Sequence, residues 1–265
     1  MKKVMLFALV MVLCILAACS AGAQAQLRAY DQKEGYQYIQ FGSFPQEADG
    51  TVRPILWRVL DVGEEYAYLL SEYVLFGNRV DPDDKFYEEV EGRFNQTEMF
   101  RLLNGPFDGD PISLEEQKAL NAKERLGYAY IAEVCFADTA FTEEEKAMIL
   151  EDEELGKVFL ASAEDLKNKA YGFASSKARQ AYGTAYAFET GLFEYQNHTS
   201  PYWTRSQSIS YKYATRCTKV DGDLGYIRCV VMNEGCRPAI RLKLAAVGEA
   251  LSGSGSKDEP FVFVR

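Results

Sequence analysis

Histidine is almost missing from this chain: His198 stands alone in 265 residues. A single imidazole cannot build a multi-histidine metal centre. It also lies in the polar run Gln196-Asn197-His198-Thr199-Ser200, which reads as a solvated loop rather than the seat of a general base. Basic residues are in deficit, 29 Lys and Arg against 39 Asp and Glu, for a net charge of −10. A chain that meets phosphates needs the opposite balance, so nucleic acid is excluded as a general partner. No CxxC occurs, which removes zinc ribbons and thioredoxin-like redox centres. No acidic run completes the calcium-loop pattern. There is neither a repeat of fixed period nor an extended low-complexity tract.

What is present is ordinary for a folded chain, with 48% hydrophobic and 26% charged residues, so wholesale disorder is not expected. The N-terminus carries an address. Lys2 and Lys3 precede an uncharged apolar run from Val4 to Ala18, short for a membrane span and right for a signal sequence. The run ends Leu16-Ala17-Ala18-Cys19, the pattern of a bacterial lipobox, in which the cysteine thiol takes a diacylglycerol and becomes the new N-terminus. Residues 1–18 are therefore read as a lipoprotein signal peptide, Cys19 as the lipidation site, 19–35 as a tether and 36–265 as the folded domain. The expected location is the outside of the cytoplasmic boundary, anchored to a membrane by lipid. A plain secretory signal or an uncleaved anchor is the alternative. Loss of residues 1–18 takes two lysines away and makes the remainder more acidic still.

Export changes the meaning of the cysteines. With Cys14 in the signal and Cys19 lipidated, Cys135, Cys217, Cys229 and Cys236 remain. Four thiols in a non-reducing compartment allow three disulfide patterns. Cys217 and Cys229 flank the turn signal Asp221-Gly222-Asp223, which favours that pair and leaves Cys135 with Cys236. Four buried, reduced thiols are the other reading.

Strand signals dominate both ends. Tyr38–Gly42 is aromatic and β-branched, Ile55–Val62 alternates, and Glu64–Ser71 reads as its partner after Gly63. The middle is helical: Thr97 opens a run stopped by Asn104-Gly105, Ser113 and Thr142 each start a capping-box pattern, and Ser162 starts a helix through Lys169. Val158–Ala161 is a short strand. Strands return at Tyr202–Ser206, Ser210–Val220, Gly225–Met232 and Arg237–Leu244, with Phe261–Val264 as a last edge strand after a flexible Ser252–Ser256 loop. Strands at both ends and helices between them predict an α+β fold, one domain with a twisted, mostly antiparallel sheet.

Several segments together resemble one family. They are Tyr38–Gln46, Ile55–Leu60, Leu69–Glu72, Leu102–Gly105, Phe141–Glu145, Val158–Ser162, Tyr202–Ser206 and Gly235–Leu242. In this order they are similar to DUF6273, a family of bacterial extracellular proteins with no assigned function. The resemblance covers Tyr36 to Leu244. Through Trp203-Thr204-Arg205-Ser206 and Gly235-Cys236-Arg237-Pro238 that family in turn resembles the C-type-lectin-like and formylglycine-generating-enzyme-like folds. The second resemblance implies a compact α+β domain. The reactive cysteine pair of the oxidases in that group is not matched by the spacing of Cys229 and Cys236. Cys236 also stands where the family usually has Val.

Trp57, Arg58, Trp203, Arg205 and Arg237 are the most distinctive residues. Two indoles and three guanidiniums could line a groove that stacks on sugar rings and binds hydroxyls or carboxylates. Equally, the indoles could be core, with the arginines laid over them and bonded to strand-end carbonyls. Asp81-Pro82-Asp83-Asp84, Asp108-Gly109-Asp110 and Asp221-Gly222-Asp223 could hold Ca²⁺ through carboxylates, or simply be Asx turns. Some of the 17 tyrosines and 16 phenylalanines could, if exposed, contact carbohydrate or peptide. The leading expectation is an anchored, non-enzymatic binding module for a glycan or an envelope protein. The alternatives are an envelope enzyme, either a cysteine-dependent oxidase or a glycan hydrolase, and a structural accessory without a small-molecule ligand.

Overall fold

The first two strands follow from alternation. In β1 (Tyr38–Pro45) the side chains of Ile39, Phe41 and Phe44 are buried, and in β2 (Val52–Val62) Ile55, Trp57 and Val59 are fully covered. These come from a computed structural model that describes residues 27–80, 93–105, 135–208, 210–211, 213–229, 234–247 and 251–263. β1 and β2 pair antiparallel, with one extra residue in β1 between Gln40 and Ser43. Gly42 sits in that bulge at φ +65°. A side chain there would begin 2.5 Å from the Phe141 ring and 2.7 Å from the Ala140 carbonyl. Only glycine meets both demands.

After the Gly63 turn comes β3 (Tyr66–Ser71), then β4 (Phe76–Gly77). α1 (Glu98–Asn104) starts where the Thr97 hydroxyl accepts from the Phe100 N–H at 3.0 Å. α2 (Phe136–Ala140) leads to α3 (Glu143–Met148), whose expected capping box is complete. The Glu145 N–H donates to the Thr142 hydroxyl at 3.2 Å and the Thr142 N–H to the Glu145 carboxylate at 3.0 Å. β5 (Val158–Leu160) follows, then α4 (Ser176–Arg179), β6 (Ala181–Tyr182), α5 (Ala185–Glu189), β7 (Thr199–Ser200), β8 (Tyr202–Gln207), β9 (Ala214–Thr218) and β10 (Leu224–Arg228). The chain closes with β11 (Gly235–Cys236), β12 (Pro238–Lys243), α6 (Leu244–Val247), β13 (Leu251–Ser252) and β14 (Val262–Phe263).

The architecture is mixed α and β. Strands assemble into two five-stranded sheets, β1-β2-β3-β12-β5 and β10-β9-β8-β11-β4, rather than the single sheet expected. Pairing within them is antiparallel except where β11 runs parallel to β8 through Gly235 and Tyr202. The chain crosses outward from the first sheet after Ser71, supplies that sheet's edge strand β5, and makes its return crossing for β12 at Arg237, between β11 and β12. The outward crossing after Ser71 and the return crossing at Arg237 lie side by side.

Three expected boundaries move. Leu27 is 1% exposed, the Arg28 N–H donates to the Gln37 side chain at 2.7 Å, and the Tyr30 N–H donates to the Leu60 carbonyl. Residues 27–35 thus belong to the packed body, not to the tether expected over 19–35. The helix expected from Ser162 to Lys169 is capped at Ser162 and Asp165 but stops as a single 3-10 turn, Asp165–Lys167, because Asn168 is extended (ψ 113°) and its side chain accepts from the Ala170 N–H at 2.9 Å to open a second turn, Lys169–Tyr171. The Ser252–Ser256 stretch, expected to be flexible, is tied along β1. There the Tyr38 N–H donates to the Gly255 carbonyl and the Phe261 N–H to the Tyr38 carbonyl. The signal peptide, Cys19 and the Ser113 helix lie outside the described residues.

Candidate functional site

The crossings at Ser71 and Arg237 carry a dense polar cluster. Arg58, on β2, is 8% exposed and donates from Nε and Nη2 to one carboxylate oxygen of Glu72, at 2.8 and 2.5 Å. Lys257, from the C-terminal segment, donates to the other oxygen at 2.8 Å. Arg237 on the return crossing is 1% exposed. It donates to the Ser71 carbonyl at 2.7 Å and the Glu72 carbonyl at 3.4 Å on the outward crossing, and to the Tyr202 hydroxyl at 3.3 Å. Tyr36 lies against the Arg58 guanidinium at 4.4 Å. Burial works to raise the Glu72 carboxyl, but Arg58, Arg237 and Lys257 hold it below its ordinary range. The buried members of this stitch between the sheets, Arg58, Glu72 and Arg237, are partnered by protein, while the Lys257 side chain is 45% exposed.

Trp57 and Trp203 are 0% and 1% exposed. Each indole N–H donates to a buried carbonyl, Phe41 at 2.7 Å and Asn78 at 2.6 Å. Buried rings cannot stack on a sugar, so the groove drawn from Trp57, Arg58, Trp203 and Arg237 does not form. The core alternative describes these four residues, for the reason given with it: an indole in a core needs only one partner for its N–H.

Arg205 is different. It stitches β8 to the edge of the first sheet, donating from Nη1 to the Leu160 carbonyl at 2.7 Å and to Asp165 at 2.9 Å. Its side chain is nevertheless 21% exposed. It opens onto a cleft of about 590 Å³ that it shares with Arg93, Asn95, Ser162 and Ser206. Of the five residues proposed for a groove, only Arg205 reaches an open site.

The cysteines are buried and unbridged. In the β9–β10 ladder Cys217 faces Gly225, and the Cys229 N–H bonds to the Tyr213 carbonyl. Cys229 is therefore four positions beyond the partner of Cys217, about 14 Å along the strand, too far for a disulfide. The tight turn at Asp221-Gly222 sets that register. Burial and then Glu234 push the Cys217 thiol up to about 12, and burial lifts Cys236 well above the ordinary value. Cys135 starts α2, and its thiol is 3.4 Å from the Asp138 carboxylate.

Glu234 was not singled out by the sequence. It is 7% exposed and its Oε2 is buried without a donor. Burial pushes its carboxyl up to about 7. One acid among 39 gives no sequence signal for this, since only the fold covers it.

The remaining candidates resolve as follows. In Asp221-Gly222-Asp223, Asp221 accepts from the Asp223 N–H at 3.0 Å, and Asp223 accepts from the Ser176 hydroxyl. The turn is an Asx turn clamped to α4, where Arg179 Nε also reaches the Gly222 carbonyl at 2.8 Å. Asp81–Asp84 and Asp108–Asp110 lie outside the described residues. Among the described residues no group of three His, Cys, Asp or Glu side chains is placed to share a metal ion. His198 pairs with Glu194, on an exposed loop. Among the described residues no helix is long and apolar enough to cross a membrane.

The tyrosines separate into core and surface. Tyr211, Tyr213 and Tyr226 are 37%, 43% and 53% exposed, yet they touch one another, with ring centroids 5.6 Å apart for Tyr211–Tyr213 and 4.6 Å for Tyr211–Tyr226. Tyr226 is on β10, the edge of the second sheet. The result is an open aromatic shelf. The hairpin that carries it was legible, but which tyrosines face outward was not.

The family model described as "Domain of unknown function (DUF6273)" matches residues 64–244, starting later than the resemblance read from the sequence. No curated protein and no solved structure matches the chain.

Proposed function

The chain belongs to the DUF6273 family, and from that premise we propose that it is a lipid-anchored binding module of the bacterial envelope, without catalysis of its own, that holds a glycan on the tyrosine shelf. The observation that carries this reading is the cluster Tyr211, Tyr213 and Tyr226, in mutual contact and still open to solvent. Exposed aromatic rings of this kind offer flat apolar faces to the C–H side of a sugar ring while their hydroxyls remain wet. Apolar rings left on a surface cost solvation, so a cluster of them marks a contact surface.

The anchor rests on Lys2, Lys3, the apolar run and the Leu16–Cys19 pattern. We read the domain as C-type-lectin-like, on the late Trp203 strand and the return crossing at Arg237. An oxidase reading would need a reactive thiolate, and Cys217 and Cys236 have thiols pushed the other way by burial.

Two experiments test the proposal. Cys19→Ala should abolish incorporation of labelled fatty acid and release the protein from the membrane fraction; full retention with no label in the wild type would overturn the anchor. The full chain, purified in mild detergent, should give hits on a glycan array. Tyr226→Ala should weaken each hit about tenfold, the size expected for one interface tyrosine, with unchanged melting. An array without hits would overturn the glycan reading.

A further inference from the structure

The cleft beside Arg205 has a donor set that neither the family nor the shelf explains. Of the five guanidinium N–H groups of Arg205, Nη1 serves Leu160 and Asp165 and one further contact reaches the Tyr68 hydroxyl, which leaves at least two uncommitted among the described residues. The Ser162 hydroxyl oxygen accepts from the Asp165 N–H at 2.9 Å, and the Ser206 oxygen accepts from the Ala163 N–H at 2.8 Å. An oxygen held as acceptor leaves its own O–H to donate, and neither hydroxyl donates to a described residue. Three oriented donors therefore line one cleft. Asn95, in the same cleft, leaves its buried Oδ1 without a donor. Such an atom costs free energy unless something supplies a hydrogen.

We propose that this cleft binds a carboxylate-bearing sugar, its carboxylate on Arg205, Ser162 and Ser206 and a ring hydroxyl on Asn95. A guanidinium fork flanked by hydroxyls suits a planar carboxylate. Asp165 pairs with Arg205, and Glu153 and Glu154 line the cleft with Arg93, so the cleft has no excess of positive charge. That balance disfavours a phosphate or sulfate polyanion and suits a ligand with one charge and several hydroxyls, which carboxylates can accept. Phe94 and Leu155 supply apolar surface for the ring, and about 590 Å³ is the size of a small-ligand site.

The inference extends the glycan reading by naming an acidic sugar. Tyr226 faces Arg216 across the β9–β10 ladder, and Arg216 lies 3.9 Å from Glu164, two residues from Ser162. Shelf and cleft are neighbours on one surface.

The test is titration of the full chain in mild detergent with free glucuronate and with glucose, followed by the Arg Nε–Hε resonances in NMR and by calorimetry. Glucuronate should shift the Arg205 resonance and glucose should not. Ser206→Ala also orphans the buried Ala163 N–H, so it should lower melting while staying folded, and it should weaken glucuronate about tenfold, the loss for one hydrogen bond to a charged group; Arg93→Gln, outside the proposed carboxylate contacts, should leave melting close to wild type. Equal response to the two sugars, no response to either, or an unaltered affinity in Ser206→Ala overturns the cleft. An array positive for neutral glycans with a silent cleft leaves the shelf standing. A silent array with a glucuronate response at Arg205 leaves the cleft standing without it.

Discussion

Replacing Glu234 by Gln should stabilise the protein by an amount that grows as pH rises from about 4.5 to above 7. The side chain is 7% exposed, its Oε2 lacks a donor, and burial raises its carboxyl from 4.5 to about 7. The unfolded chain loses this proton near 4.5, while the folded chain keeps it until about 7. Between those values the folded state holds more protons, so stability falls as pH rises. At about 1.4 kcal/mol per unit the full penalty is about 3 kcal/mol above pH 7. About 1.4 kcal/mol of it is already present at pH 5.5, which leaves about 2 kcal/mol to appear by pH 8. Gln keeps the shape and carries no charge at any pH. Urea unfolding, followed by tryptophan fluorescence, should therefore show the advantage of Glu234→Gln growing by about 2 kcal/mol from pH 5.5 to 8. Trp203 is a near reporter, since its indole bonds the Asn78 carbonyl and the Asn78 N–H bonds the Glu234 carbonyl. Parallel pH profiles for the two proteins, or a wild type that gains on the variant as pH rises, would refute the reasoning.

Glu72 should behave with the opposite sign. Its folded carboxyl is held below the ordinary 4.5, so its contribution is complete above that pH and disappears as pH falls through the lowered value. Glu72→Gln leaves Arg58 buried without a counter-charge and should cost about 3–5 kcal/mol at pH 7, with the gap to wild type closing in acid; a constant gap down to pH 3 would contradict this. Trp203→Phe orphans the Asn78 carbonyl and opens a cavity, for a loss of about 2–3 kcal/mol in urea unfolding. Gly42→Ala meets both a positive φ and the Phe141 ring and should cost about 2–4 kcal/mol, read as a lowered melting temperature. A thiol reagent should modify Cys135, Cys217, Cys229 and Cys236 only after denaturation, because all four are buried; fast native labelling of any one would count against the burial described here.

Much of the local structure was legible because it rests on local chemistry. Alternation placed β2, the Gly63 turn placed β3 as its partner, Thr142 with Glu145 announced the capping box of α3, and Asp221-Gly222 announced the β9–β10 turn. The Ser162 helix is cut to one turn because the Asn168 side chain bonds the Ala170 N–H and starts a second turn, a competition that periodicity does not register. The disulfide pair failed on register: symmetry about a turn is a statement of sequence distance, and a difference of a few residues moves a thiol by more than a disulfide can span. The groove of Trp57, Arg58, Trp203 and Arg237 failed because a Trp-Arg pair has the same letters in a core and on a surface.

By itself, then, the sequence determined the acidic balance, the signal-like N-terminus, the order of strands and helices and membership of a family, since each depends on composition or on neighbours along the chain. Only the tertiary structure decided which arginine is open, which tyrosines form a shelf and which glutamate is buried. Those properties depend on what covers a side chain, and the cover comes from residues far away: Lys257 on Glu72, Leu160 on Arg205, Tyr211 on Tyr226.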